Sequence, residues 1–167
     1  MKNCLLCFMI CLLLISCCHE PPAGIQLLGD ASLQIEINKV EMVLERYVIA
    51  SEKQDIDLIQ NIWAPDSDII VFGTEGSERL TGWSQIQEAF NDQFAQLEQP
   101  YLSVRDQVVN VNSTGTTAWF SEIVSYSFIR GNKPYNLEGV RFTGVLEKRD
   151  STWYIVQSHL SLPAISE

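Results

Sequence analysis

Cysteine is absent from residues 19–167, and all five cysteines of the chain lie within its first 18 positions. Disulfide frameworks and cysteine-based metal sites need cysteines spread through the folded domain, so the sequence excludes both. Histidine is also scarce, with only His19 and His159. No phosphate-binding glycine loop, nucleophile elbow or histidine-rich metal motif is present. The sequence therefore predicts a protein without a metal or cofactor.

The first 16 residues are typical of a secretory signal peptide. Lys2 supplies a positive charge, residues 5–15 are apolar, and the small Ser16 precedes Cys17. This apolar run is too short to span a bilayer stably. The segment Leu14-Ile15-Ser16-Cys17 resembles the bacterial lipobox, which is cleaved before a cysteine that becomes lipidated. The resemblance implies a diacylglyceryl group on the Cys17 thiol and acylation, typically by palmitate, of its new amino group.

Acylation of Cys17 implies a lipid-anchored membrane protein of the bacterial cell envelope, periplasmic or surface-exposed. Two or three acyl chains are enough for durable anchoring, whereas a single chain binds only marginally. Two alternatives remain open for this segment. In one, Cys18 is the lipidated residue; in the other, an ordinary signal peptide carries incidental cysteines.

Basic residues are few compared with acidic residues. Without residues 1–16, the chain has 10 basic and 21 acidic side chains and a net charge of −11. Such a surface repels nucleic acid and anionic lipid headgroups, so nucleic acid is excluded as a partner. Residues 17–30 lack periodicity and include Pro21, Pro22 and Gly24, which predicts a flexible tether. Residues 31–163 then fit one domain with a sizeable core.

Apolar spacing changes from helical in the first half of the chain to alternating in the second half. Helices are predicted over Leu33–Ser51, over Asp55–Trp63 and from a Ser84 capping box to Pro100. Residues typical of strands occupy the remainder, so we expect an α+β domain with helices covering one face of a curved antiparallel sheet. The predicted strands are Asp68–Phe72, Tyr101–Val111, Thr117–Phe128, Tyr135–Lys148 and Thr152–Leu160.

Three stretches resemble the SnoaL-like branch of the nuclear transport factor 2-like superfamily, which includes ketosteroid isomerases. They are "LERYVIASEKQDIDLIQNIWAPDSDIIVFG", "LTGWSQIQEAF" and "GVRFTGVLEKRDSTWYIVQSHLS". The resemblance implies a cone-shaped fold, with three helices against a curved sheet and a pocket at the open end. It also implies a homodimer through the outer sheet face, where we expect Tyr154 and Val156 near the centre. Members range from isomerases to non-catalytic proteins, so the fold does not settle the function.

Side-chain alternation in the last hairpin predicts which residues face the pocket. A two-residue Asp150-Ser151 loop pairs Arg149 with Thr152 and, further along, Phe142 with His159. One face then carries the larger apolar residues, and we assign that face to the pocket, although a one-residue bulge would exchange the two faces. Trp63 is added because one or two of the four tryptophans are expected to stack against a ligand. The predicted pocket face includes Glu138, Phe142, Ile155, Gln157 and His159.

Glu138, His159 and Tyr47 are the candidate catalytic residues. A carboxyl and an imidazole beside a shared apolar cavity can exchange protons with a ligand. Tyr47 lies where the resemblance to ketosteroid isomerases places an oxyanion-hole tyrosine, and Glu138 falls near their acid. The isomerase base falls near Val71, an apolar residue, so steroid isomerisation has no evident proton acceptor. Each candidate also has a structural interpretation: a hydrogen-bonded histidine, a solvated glutamate and a core tyrosine.

Two functions follow from these residues. The missing base favours a lipid-anchored module that binds a small apolar molecule, or a partner, without transforming it. The alternative is a cofactor-independent isomerase, lyase or hydrolase that uses Glu138, His159 and Tyr47. The segment Asp66-Ser67-Asp68 offers two carboxylates to a hard cation, but without a spaced third ligand it is more typical of a turn.

Overall fold

The computed structural model describes residues 26–74 and 78–163, so the predicted lipidation site at Cys17 lies outside the described residues. No helix within these two ranges is long and apolar enough to cross a bilayer. The helices are α1 (Asp30–Lys53), α2 (Ile56–Gln60) and α3 (Gly82–Gln96). The strands are β1 (Ile70–Phe72), β2 (Arg79–Thr81), β3 (Glu98–Val111), β4 (Thr117–Arg130), β5 (Lys133–Arg149) and β6 (Thr152–Ser161).

The strands form one open sheet in the order β2-β1-β6-β5-β4-β3. Strands β3 to β6 make an antiparallel meander, whereas β1 pairs with β6 in parallel. The predicted α+β class, with helices in the first half and long antiparallel strands in the second half, is confirmed. Strand β2 was not predicted, because it has one apolar residue, Leu80, whereas the equally short β1 is apolar throughout.

Helix α1 packs an apolar stripe against the sheet. Val40, Val43, Leu44, Tyr47 and Ala50 are all buried, and they follow the helical spacing that turns one face to a core. Each large side chain buried in this way stabilises the fold by about 1.5–3 kcal/mol. The sheet side of the same core contains the fully buried Phe142, Leu146 and Ile155.

Helix α3 begins at Gly82, two residues before the predicted capping box at Ser84. Gly82 has a φ of 78°, and a Cβ there would lie 3.0 Å from the Ser67 carbonyl oxygen. A glycine is therefore required where the chain turns from β2 into the helix. The capping residue is Thr81, whose N–H donates to Gln85 Oε1 at 2.8 Å.

A β-bulge in β6 exchanges the two faces of the last hairpin beyond Ile155. Leu146 pairs with Ile155 as predicted, but Val145 pairs with Gln157, so Val156 is an extra residue on β6. A slip of one residue moves every following side chain to the other face. Gln157 and His159 therefore lie on the outer face, which corrects their predicted place on the pocket face.

A second bulge, in β5, changes the position of Glu138. Val124 of β4 pairs with Val140, and Tyr126 pairs with Leu137. The two residues Glu138 and Gly139 thus stand opposite Ser125 alone, and Gly139 has a φ of 71°. Simple alternation placed Glu138 on the same face as Val140, but the bulge breaks the alternation between them. Glu138 is exposed.

Candidate functional site

A cavity of about 520 Å³ lies between α3 and the sheet. Its walls come from α1, the segment after α2, β1, β2, α3 and the ends of β4, β5 and β6 that lie near one another. The buried lining residues form its interior: Tyr47, Trp63, Val71, Ile86, Leu97, Val140 and Ser158. Exposed lining residues form its mouth: Thr74, Asp92, Gln93, Gln96 and Arg130. A mostly apolar interior with a polar mouth is typical of small-molecule sites.

Tyr47 brings a hydroxyl group from α1 into this apolar interior. Its ring lies 5.1 Å from the Phe142 ring and 6.2 Å from the Phe90 ring, measured between centroids. Burial raises the pKa of Tyr47 to about 12, and the charge of Glu122 acts in the same direction. The hydroxyls of Tyr126 and Ser51 oppose this rise. Tyr47 is therefore protonated at neutral pH and able to donate a hydrogen bond.

Two polar atoms of lining residues, Trp63 Nε1 and Ser158 Oγ, are buried and have no hydrogen-bond partner among the described residues. The Tyr126 hydroxyl is also buried, beside the Tyr47 hydroxyl. Burial is also the main cause that raises the pKa of Tyr126 well above its ordinary value. A buried polar group without a partner costs about 1–3 kcal/mol, and native folds contain few such groups. Their presence in one cavity indicates a site for polar groups of a ligand.

Glu122 is a buried acid close to the site but outside the cavity lining. It is 2 % exposed, and Gln107 Nε2 donates to its Oε2 at 2.6 Å. The bulge of β3 between Arg105 and Val108 includes Gln107 and lies opposite Glu122. Burial raises the pKa of Glu122, and the hydrogen bond from Gln107 lowers it in part. The carboxyl thus holds its proton to higher pH than an ordinary glutamate does.

The structure separates the three candidate catalytic residues. Tyr47 lines the cavity. Glu138 is exposed and accepts a hydrogen bond from Asn136 Nδ2 at 2.7 Å. His159 is exposed, with its ring 5.9 Å from the Phe72 ring. These groups therefore do not converge on one ligand atom.

The predicted pocket residues also occupy different places. Trp63 lines the cavity. Phe142 and Ile155 are fully buried in the core, but they are not among the lining residues. Gln157 pairs with Val145, which in turn pairs with the exposed Trp119, so all three share the outer face.

Two carboxylates, Glu78 and Asp92, occur among the described lining residues, and that lining includes no histidine. Asp92 is exposed, whereas Glu78 is partly exposed and lies where a side chain on Gly73 would be. Neither was a candidate in the sequence analysis. Tyr126 and Ser158 were missed as well: Tyr126 is one aromatic residue among several in an alternating strand, and the bulge at Val156 turns Ser158 inward.

The segment Asp66-Ser67-Asp68 is a connection held by protein contacts. Arg149 Nη2 lies 2.5 Å from Asp66 Oδ2. This hydrogen bond is the main cause that holds the pKa of Asp66 below its ordinary value. Within residues 26–74 and 78–163, no group of three or more side chains is arranged to hold a metal ion.

Comparison with known families gives the same architecture. The SnoaL-like domain matches residues 40–165. The chain belongs to the SnoaL-like domain family. No curated protein matches the sequence significantly.

Solved structures with the same fold come from several bacteria. A nuclear transport factor 2-like superfamily protein from Salmonella enterica serovar Typhimurium is 18 % identical, with a TM-score of 0.72 over 80 % of this chain and 95 % of that one. A candidate scytalone dehydratase from Novosphingobium aromaticivorans is 11 % identical, with a TM-score of 0.73 over 81 % and 89 %. A candidate dehydratase from Streptomyces avermitilis is 16 % identical, with a TM-score of 0.68 over 80 % and 99 %. Identities this low establish the fold alone.

Proposed function

We propose that this SnoaL-like domain binds a small, mainly apolar molecule in its cavity without transforming it. The observation that carries the proposal is the chemistry of the interior: apolar walls, the hydroxyls of Tyr47, Tyr126 and Ser158, and the indole of Trp63. Within the described interior, no carboxylate or imidazole stands among these groups to accept a proton. A volume of about 520 Å³ is in the usual range for small-molecule sites.

Catalysis in the same cavity is the second candidate. Glu78 and Tyr47 both line the cavity, and they could act as a base and a hydrogen-bond donor in a cofactor-independent isomerase, lyase or hydrolase. The names of two solved relatives, both candidate dehydratases, also favour catalysis. Glu138 contacts Asn136, and the His159 ring lies beside Phe72; neither Asn136 nor Phe72 lines the cavity. We therefore give Glu138 and His159 no catalytic role here.

Filling the cavity tests whether it is the binding site. Ala89 of α3 lines the cavity, whereas Ala95 of the same helix is exposed and does not. We expect Ala89→Trp to weaken binding of the apolar probe fluorenone at least 10-fold, because the indole occupies the space of the probe. Ala95→Trp is the matched control and should bind as the wild type does. Isothermal titration measures both, and equal affinity in the two variants would place the binding site elsewhere.

Solvent exchange separates binding from catalysis. Any apolar molecule that co-purifies with the protein is extracted, identified by mass spectrometry and incubated with fresh protein in deuterium oxide; fluorenone is used if none is found. We expect no catalysed incorporation of deuterium, because the described interior offers no base. Incorporation that disappears in Glu78→Gln would establish the second candidate, since a positioned acid or base contributes about 10²- to 10⁴-fold to a rate.

We further propose that the domain is anchored to the bacterial cell envelope through acylated Cys17. The support is the order of Lys2, the apolar run and the lipobox-like Leu14-Ile15-Ser16-Cys17 in the sequence. Cys17→Ala is expected to lose metabolic labelling by a palmitate analogue and to leave the membrane fraction, because two or more acyl chains are needed for durable anchoring. Cys18→Ala is the control and should keep the label. Label that stays on Cys17→Ala would refute this assignment.

A homodimer through the outer sheet face is the remaining part of the proposal. On this face, the exposed Trp119 stands in one row with Val145 and Gln157, and Val108 is exposed on the neighbouring strand. Tyr154 pairs with Glu147 further along the same hairpin. Apolar side chains gathered on a sheet face usually mark an interaction surface.

A further inference from the structure

We infer that the ligand of this cavity carries a hydrogen-bond acceptor, such as a ketone, ester or lactone oxygen, and that this acceptor is bound by the indole N–H of Trp63. The inference rests on the proposed function, because it assumes that the cavity binds an apolar molecule. It adds the chemical class of that molecule and the residue that selects it.

The indole of Trp63 is the strongest indication. The residue is 2 % exposed, and its Nε1 meets no acceptor among the described residues. An indole N–H can only donate, and leaving it unpaired in the interior costs about 1–3 kcal/mol. The other buried tryptophan is satisfied, because Trp153 Nε1 donates to Glu36 Oε2 at 2.9 Å. Since Trp63 lines the cavity, the cavity is where its missing acceptor belongs.

Backbone contacts fix the main chain at Trp63. Trp63 forms a parallel bridge with Ile155 of β6. On either side, Ala64 N donates to the Ile155 carbonyl at 3.0 Å, and Ile155 N donates to the Ile62 carbonyl at 2.9 Å. The main chain that carries the indole is therefore ordered before any ligand arrives, which reduces the entropy lost on binding.

Two hydroxyl groups of lining residues, those of Ser158 and Tyr126, offer further polar contacts to a ligand. Ser158 is fully buried and pairs with Val71 on one side and Gly144 on the other, and its Oγ has no partner in the described part of the chain. Tyr126 lines the same cavity, with its buried hydroxyl beside that of Tyr47. A hydroxyl can donate or accept, whereas Trp63 can only donate. One acceptor oxygen on an apolar body satisfies the indole, while a purely hydrocarbon or purely donating ligand leaves it unpaired.

A matched pair of probes tests the inference. Fluorenone and fluorene are rigid tricyclic molecules of nearly equal size, and only fluorenone has a carbonyl oxygen. We expect the wild-type protein to bind fluorenone about 10-fold more tightly than fluorene, a ratio that corresponds to about 1.4 kcal/mol. Trp63→Phe should remove that ratio and keep the affinity for fluorene within about two-fold. Trp119→Phe, at the exposed tryptophan of the outer face, should keep the ratio.

Nuclear magnetic resonance measures the response of the Trp63 indole in the wild-type protein, without a substitution in the cavity. In protein labelled with ¹⁵N, the indole resonance of Trp63 should move with fluorenone and much less with fluorene. The Trp153 indole, already bonded to Glu36, is an internal control that should not respond to the carbonyl. If Trp63→Phe does not fold, this resonance and the Ser158→Ala variant still decide the question, because Ser158→Ala should reduce the ratio.

The outcomes distinguish the inference from the proposed function. Equal affinities for the two probes, with an unmoved Trp63 resonance, would overturn the acceptor inference while leaving the cavity as a binding site. A ratio that persists in folded Trp63→Phe would also overturn it, as would an unmoved Trp63 resonance where that variant does not fold. Binding of neither probe would overturn the proposed function, and the inference with it.

Discussion

Glu36→Ala is expected to lower the free energy of unfolding by about 3 kcal/mol at neutral pH, which is a large part of the stability of a domain of this size. Glu36 is 6 % exposed. Its carboxylate accepts hydrogen bonds from Trp153 Nε1 at 2.9 Å and Lys39 Nζ at 2.8 Å, and Lys148 Nζ lies 2.9 Å away. The variant leaves a buried indole N–H and a partly buried ammonium without their shared partner.

The contacts of Glu36 connect separate elements of the fold, which is why the effect should be large. Glu36 and Lys39 belong to α1, Lys148 to β5 and Trp153 to β6. Lys39 is three residues along the same helix and gives only local support. Lys148 and Trp153 attach the helix to the last hairpin, so the carboxylate contributes to tertiary structure as well as to the helix.

The same contacts predict how stability depends on pH. Burial alone would raise the pKa of Glu36, but the hydrogen bonds from Lys39, Lys148 and Trp153 outweigh it and hold the pKa at about 2. A depressed pKa means that the stabilisation is present above the ordinary value of 4.5 and is lost as pH falls from about 4.5 towards 2. The difference between wild type and Glu36→Ala should therefore shrink across that window.

Urea unfolding at several pH values between 7 and 2.5 measures this dependence. Glu45→Ala is the matched control, because Glu45 is an exposed glutamate of the same helix. It should change the free energy of unfolding by less than about 0.5 kcal/mol at every pH. A loss in Glu36→Ala that is equally large at pH 7 and pH 2.5 would show that the carboxylate charge is not what stabilises the fold.

The fold could be predicted from the sequence because its elements are long and periodic. The stripe from Val40 to Tyr47 and the strand-forming residues of the second half are each repeated over many positions, so the pattern survives a few exceptions. The β-bulges are single-residue events and leave almost no pattern. Gly139 is the one cue, since glycine inside a strand often marks a bulge, whereas Val156 is an ordinary strand residue.

The candidate site depends on those bulges, and for that reason it was predicted less well than the fold. Because of the bulge at Val156, Ser158 and Leu160 line the cavity in place of the predicted Gln157 and His159. Tyr47 lies upstream of both bulges, and it lines the cavity. The protonation of the two buried glutamates could not be predicted from the sequence either. Three hydrogen-bond donors lower the pKa of Glu36, whereas burial raises the pKa of Glu122. That difference is set by tertiary neighbours.

Trp119→Asp is expected to weaken the proposed homodimer by roughly 100-fold, because buried tryptophans at interfaces commonly contribute 2 kcal/mol or more, and a buried carboxylate adds a desolvation cost. Trp119 is 47 % exposed although its neighbours along β4, Ala118 and Phe120, are buried. The substitution therefore changes the outer face without touching the core, and the folded monomer should keep its stability.

The matched control introduces the same charge on the opposite side of the domain. Met42 of α1 is 60 % exposed and belongs to the helical layer, so Met42→Asp should leave association unchanged. Sedimentation equilibrium, with Cys17→Ala in every protein to prevent acylation, gives the association constants. We expect the parent and Met42→Asp to be dimers at micromolar concentration and Trp119→Asp to be a monomer. A parent protein that is itself monomeric at that concentration would refute the dimer, and a Trp119→Asp dimer of undiminished affinity would move the interface away from this face of the sheet.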